Sequence, residues 1–147
     1  MTELHEGLKA LGGEATTYNY DKPKPDLLEK FPNPYADSKL NSNKVTGSIE
    51  IEAPEFTSLC PLTGQPDYAT IRIIYTPDRW CVESKSLKLY LVSFRMHGEF
   101  HEACTSRIAN DLVDLLEPCY LKVTGEFTPR GGMKFWPTAE YEKRNHQ

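Results

Sequence analysis

The spacing of apolar residues changes period twice along this chain, and the order of those changes limits what it can fold into. Residues 47–52 alternate apolar and polar, and 69–75 form a β-branched run closed by Pro77 and Asp78, so both read as strands. Leu87, Tyr90, Leu91 and Phe94 then recur at i, i+3, i+4 and i+7, which predicts a helix over 84–96 with that stripe turned to a core. A second helix is expected over 99–116, with Ala103, Ile108, Leu112, Leu115 and Leu116 inward and Pro118 stopping it. Residues 120–127 alternate again, and 133–141 follow a Pro-Arg-Gly-Gly turn as a last strand. Two strands, two helices and two strands predict an α+β unit, with two helices layered on an antiparallel four-stranded sheet. Such a sheet has two open edges, which association of subunits edge to edge into a closed barrel would remove.

The length of 147 residues suits one domain with a sizeable core. A net charge of −4 gives no general footprint for nucleic acid, so basic residues matter only as a local patch. No apolar run approaches the roughly 18 residues of a spanning helix, and the N-terminus lacks a signal-peptide core. A cytoplasmic protein with neither a membrane nor a direct nucleic-acid partner is therefore expected. Cys60, Cys81, Cys104 and Cys119 show no CxxC spacing and read as reduced thiols, Cys81 and Cys119 as small buried residues in strand-like surroundings.

Residues 1–44 differ from the remainder, 45–147. The stretch 20–34 holds four prolines and neither helical nor strand periodicity. It reads as a partly ordered arm that docks on a neighbouring subunit, with Tyr18, Tyr20, Phe31 and Tyr35 as its apolar surface. Residues 53–68 carry three prolines, Cys60 and Asp67, and read as a long functional loop. On the helix that follows, Lys85 and Lys88 share a face and present two cations, either to solvent or to an anion. Read locally, Cys60 is a structural loop thiol and Asp67 a turn residue after Pro66.

Four motifs in one order give these residues another reading. They are Phe-Thr-Ser-Leu-Cys-Pro-Leu-Thr-Gly-Gln-Pro-Asp at 56–67, Glu-Ser-Lys-Ser-Leu-Lys-Leu-Tyr at 83–90, Phe-His-Glu at 100–102 and Phe-Thr-Pro-Arg-Gly-Gly at 127–132. From about residue 47 to 137 the chain resembles the NADPH-dependent 7-cyano-7-deazaguanine reductases of the QueF type, which reduce a nitrile to a primary amine on the way to the tRNA base queuosine. The resemblance implies the tunnelling fold, in which subunits assemble into barrels with active sites between them, short members forming two stacked pentamers. It makes Cys60 the covalent nucleophile and Asp67 the proton donor. That assignment is chemically apt, because a soft thiolate suits a weakly electrophilic nitrile carbon and the nitrogen must gain a proton as sulfur adds.

The resemblance also places Glu102 at the edge of the guanine-like ring, whose adjacent N–H donors a carboxylate can accept in a bidentate contact. Locally Glu102 is a first-turn carboxylate favoured by the helix dipole, and both readings can hold. His101, Val82, Glu83 and Ser84 are implied to line the same substrate site. Lys85, Lys88 and Arg130 are implied to hold the NADPH phosphates; no GxGxxG follows a strand, so this is not a Rossmann site. His97 and His101, at i and i+4, with Cys104 form a conceivable zinc set, but the hydride route needs no metal and none is expected. A reversible disulfide between Cys60 and Cys104 under oxidation is a further expectation. The rivals are an amidine-forming relative of the same fold, which lacks the Glu-Ser-Lys-Ser-Leu-Lys segment, a zinc cyclohydrolase, and a noncatalytic purine- or pterin-binding protein.

Overall fold

A computed structural model describes residues 16–144. Its main sheet is antiparallel and five-stranded: β2 (Ile49–Leu59) pairs with β3 (Pro66–Thr76), β3 with β5 (Tyr120–Arg130), and both β6 (Met133–Phe135) and β7 (Thr138–Glu142) lie on the far side of β5. Alternation sorts the residues of each strand between two faces. Phe56, Ile71, Ile73, Tyr75, Leu121, Val123 and Phe127 point to one face and are buried there beneath α1 (Ser84–Val92) and α2 (His101–Leu116). The mixed α+β architecture with two helices agrees with the expectation, but the last strand is divided. Trp136 and Pro137 separate β6 from β7, since proline offers no ladder N–H, while the Pro137 carbonyl accepts from Gly125 N–H.

The expected long loop over 53–68 is mostly strand. β2 continues through a register shift between Ala53 and Phe56, and β3 begins at Pro66, so the connection shrinks to residues 60–65. Pro54 is tolerated because β2 is an edge strand and is irregular at that point. α1 stops at Val92, before the expected 96, and residues 93–96 form turns, with the Ser93 hydroxyl donating to the Tyr90 carbonyl. Its stripe of Leu87, Tyr90, Leu91 and Phe94 is buried as expected. In α2, Ala103 is exposed and Leu115 only half-buried; the inward row is Cys104, Ile108, Leu112 and Leu116, four residues apart, with Thr105 and Ala109 beside it. Cys81 is buried, but Cys119 is exposed, because it precedes β5 in a bend.

The described part of the proline-rich stretch packs on its own chain; residues 1–15 lie outside the described residues. β1 (Lys30–Pro32) pairs with β4 (Trp80–Val82) as a two-stranded ribbon. Leu28 joins the core, and the Asn33 amide donates to the Asp78 carbonyl at 2.7 Å. The pairing uses backbone groups, so no side-chain alternation announces it.

Candidate active site

Cys60 follows the last residue of β2, in the tight turn to β3. Its N–H donates to the Gln65 carbonyl and its carbonyl accepts from Gly64 N–H, each at 2.9 Å. Gly64 closes the turn at φ +72°, in the left-handed region that favours glycine. A second tether comes from the connection between the helices: Leu59 N–H donates to the His97 carbonyl at 2.9 Å and Glu99 N–H to the Leu59 carbonyl at 3.0 Å. Gly98 lies so close that a Cβ there would sit 3.2 Å from Pro61 Cα.

The turn makes the Cys60 thiol acidic. A hydrogen bond from the Thr63 side chain, then the backbone N–H groups of Thr63 and Leu62, with a smaller contribution from Arg130, lower its pKa to about 7. Asp67, the second residue of β3, stands opposite Ser58 in the ladder and is almost wholly buried. One carboxylate oxygen is hydrogen-bonded by the Arg130 guanidinium; the other lies 3.3 Å from His101 Nε2. His101 opens α2, its ring stacked on Phe127 with centroids 3.8 Å apart and planes 7° apart, and edge-on to Phe135. Burial lowers the His101 pKa, against a smaller opposing pull from Glu102, and so favours the neutral imidazole. A neutral Nε2 can donate to the Asp67 carboxylate or accept the proton of its acid form.

Cys60, Asp67, His101, Glu102 and Arg130 all line one cavity of about 230 Å³, walled by Phe100 and Phe135. It therefore offers a nucleophile, a buried carboxyl–imidazole pair, a guanidinium, and an exposed carboxylate at the start of a helix. Val82, Ser84 and Lys88 line a different and larger cavity of about 570 Å³, beside Ile49 and Ile51. Glu83 is buried and caps α1, its carboxylate accepting from Lys85 N–H at 2.7 Å and Ser86 N–H at 2.8 Å. Lys85 is half-buried one residue into α1, and it lines neither cavity. Within one protomer the structure thus brings together five of the candidates and leaves Val82, Glu83, Ser84, Lys85 and Lys88 outside the Cys60 cavity.

Sequence reasoning missed Thr63, Phe127 and Phe135. Thr63 was legible as a hydroxyl in the Cys-to-Gly turn, whereas the aromatic walls depend on strand register. His97 does not join His101: its Nε2 faces Glu99 at 3.2 Å, and Glu99 is held by Arg107. Among the described residues, no three His, Cys, Asp or Glu side chains gather as a metal site. Cys104 is fully buried, and burial pushes its thiol up to about 12.

Comparison with known proteins places this geometry. The family model described as QueF-like protein matches residues 66–146. The chain belongs to the QueF family. Its QueF relatives include proteins named NADPH-dependent 7-cyano-7-deazaguanine reductase. The one from Streptococcus mutans is 52% identical over 138 residues, spanning 94% of this chain and 80% of the relative. The one from Bacillus subtilis is 51% identical, spanning 94% and 79%, and that of Bacteroides fragilis 52% identical, spanning 96% and 87%. Among solved structures, the apo archaeosine synthase QueF-Like superposes with a TM-score of 0.62 at 19% identity, covering 69% of this chain and 99% of that one. The QueF chain therefore has the tunnelling fold.

Proposed function

We propose that this protein reduces the nitrile of 7-cyano-7-deazaguanine to the primary amine with NADPH, through a thioimidate on Cys60. The observation that carries the mechanism is that the Cys60 thiol, held in a turn whose donors favour its thiolate, shares one small cavity with the Asp67–His101 pair. The Cys60 sulfur forms a bond to the nitrile carbon as the π electrons move to nitrogen, which takes a proton from Asp67; His101 passes that proton on or replaces it. NADPH supplies the hydrides. The first goes to the thioimidate carbon and the C–S bond breaks to release thiolate and imine; the second, with a proton, gives the amine. Nitrile to amine takes four electrons, hence roughly two NADPH per nitrile. Phe100 and Phe135 wall the imine from water, which would otherwise hydrolyse it.

Glu102 accepts the paired N–H donors of the deazaguanine ring, and a ring lacking them would leave that carboxylate unpaired. Lys85, Lys88 and Arg130 supply cations for the NADPH phosphates, as they must where no Gly-rich strand-to-helix turn is present. Because Val82, Glu83, Ser84 and the lysines stand outside the Cys60 cavity of their own protomer, a neighbouring copy completes each site in a barrel of two stacked pentamers. Residues 45–147 form the catalytic unit and 1–44 its arm, in a cytoplasmic enzyme; no described helix is long and apolar enough to cross a membrane.

The test is NADPH absorbance with purified protein, reductant and the nitrile, beside Cys60→Ala. Consumption of roughly two NADPH per nitrile, lost in the variant, is the expected result. A covalent mass at Cys60 with no NADPH oxidation would instead indicate an amidine-forming enzyme, and the absence of both signals would overturn the nitrile chemistry.

A further inference from the structure

The side of α1 that carries Lys88 continues into the following turn with Arg95, and both line one recess of about 340 Å³. Among the described residues no carboxylate forms an ion pair with Lys85, Lys88 or Arg95; Glu55 lines the same recess without pairing to them. Two tyrosines lie against Lys88 and Arg95 instead, and Lys88 is drawn to the Tyr18 hydroxyl as well as to its ring. Lys88 Nζ lies 5.4 Å from the centre of the Tyr18 ring, and the Arg95 guanidinium 5.5 Å from that of Tyr20. The two rings are parallel to within 4°, with centroids 6.2 Å apart, and each is about two-fifths exposed. The segment bearing them is fastened to the end of α1: Met96 N–H donates to the Tyr20 carbonyl at 2.8 Å and Lys24 N–H to the Ser93 hydroxyl at 3.1 Å. The rings are thus held from the backbone, their outer surface left to solvent.

Uncompensated cations beside exposed parallel rings suit a ligand that joins phosphates to a flat aromatic base. Cations alone would serve any polyanion, and rings alone any apolar surface; together they select a nucleotide. We propose that Tyr18 and Tyr20 seat the adenine of NADPH, and that Arg95 joins Lys88 in binding its ribose 2′-phosphate. The inference rests on the reductase reading and extends it to three residues outside the motifs. The lysine that Tyr18 covers is then exchanged from ring to phosphate on binding, while the ring turns its exposed surface to the base.

The experiment compares NADP⁺ binding by calorimetry, and KM and kcat for NADPH and NADH, in the full-length protein and three variants. Tyr18→Leu/Tyr20→Leu keeps apolar bulk but removes the rings; Tyr18→Phe/Tyr20→Phe keeps them; Arg95→Ala removes the cation. We expect the leucine pair to raise Kd and the NADPH KM by roughly 5- to 100-fold, the range aromatic stacking of a base supplies, with kcat and the nitrile KM near wild type. The phenylalanine pair should bind as wild type, a rescue that a purely hydroxyl-based fastening would not give. Arg95→Ala should shrink the preference for NADPH over NADH, since only NADPH carries the 2′-phosphate. Wild-type NADP⁺ affinity in the leucine pair, or equal loss in both tyrosine pairs, would overturn the seat while leaving the reductase reading intact. Absence of NADPH oxidation by the wild-type protein would overturn both.

Discussion

At the residue scale, the thiol of Cys60 owes its acidity to its own turn. The Thr63 side chain makes the largest contribution, so Thr63→Val removes a bond to the thiolate and raises the pKa toward the ordinary thiol value of about 8.5. The pH midpoint of iodoacetamide labelling should rise accordingly, and labelling at pH 7 should slow. Asp67→Asn keeps the shape of the buried carboxyl but removes its exchangeable acid proton. Formation of the covalent adduct, followed by its absorbance, should slow by about 10²- to 10⁴-fold, the usual worth of a positioned acid. Cys60, Asp67, His101 and Glu102 were legible because each sits in a short motif. The burial of Asp67 on a strand was not, because Asp67 reads as a loop residue until β3 is seen to begin at Pro66.

At the element scale, two close approaches fix the site. A Cβ on Gly125 would meet Thr105 Oγ1 and the Phe127 ring at 2.7 Å, so α2 can lie on β5 only over a glycine. Gly125→Ala should lower stability by roughly 1–3 kcal/mol in urea unfolding and displace the Phe127 ring on which His101 stacks, so kcat falls too. The cap of α1 is separable from this. Glu83→Ala leaves two first-turn N–H groups without their acceptor and should cost about 1 kcal/mol of stability. Periodicity found both helices and the strands they cover. It missed how far β2 runs, because Pro54 signals a break in a central strand but is harmless at an irregular edge. It also missed β1, which is built from backbone pairing.

At the scale of the whole molecule, β2 on one side and β6 with β7 on the other have no outer strand neighbour among the described residues. These are the edges that the proposed barrel joins, and shared sites give it a sharp consequence. Protein lacking Cys60 and protein lacking Lys85 and Lys88 should each be inactive alone. Mixed, dissociated and reassembled, they should recover part of the NADPH oxidation, because some sites draw their thiol from one copy and their lysines from the other. No recovery in a mixed assembly verified by native mass spectrometry would mean that each protomer works alone. The subunit arrangement came from family likeness, since edges in a single chain announce only that something must cover them.

The double tether of Leu59 to the helix connection has a consequence for how the molecule comes apart. The acidity of the thiol is made chiefly by contacts within six neighbouring residues, 60–65, with Arg130 adding to them, but its aim is set by His97 and Glu99, from a distant part of the chain. Reactivity and placement can therefore be lost in sequence. Hydrogen exchange should find the amides of Leu59 and Glu99 opening together, as one unit, whenever the helix connection lifts from the sheet. In that open form the hairpin still holds an acidic thiol beside Asp67, now without His101 trained on its target, and the rate at which alkylating agents modify Cys60 should change at denaturant concentrations that leave the rest of the sheet protected.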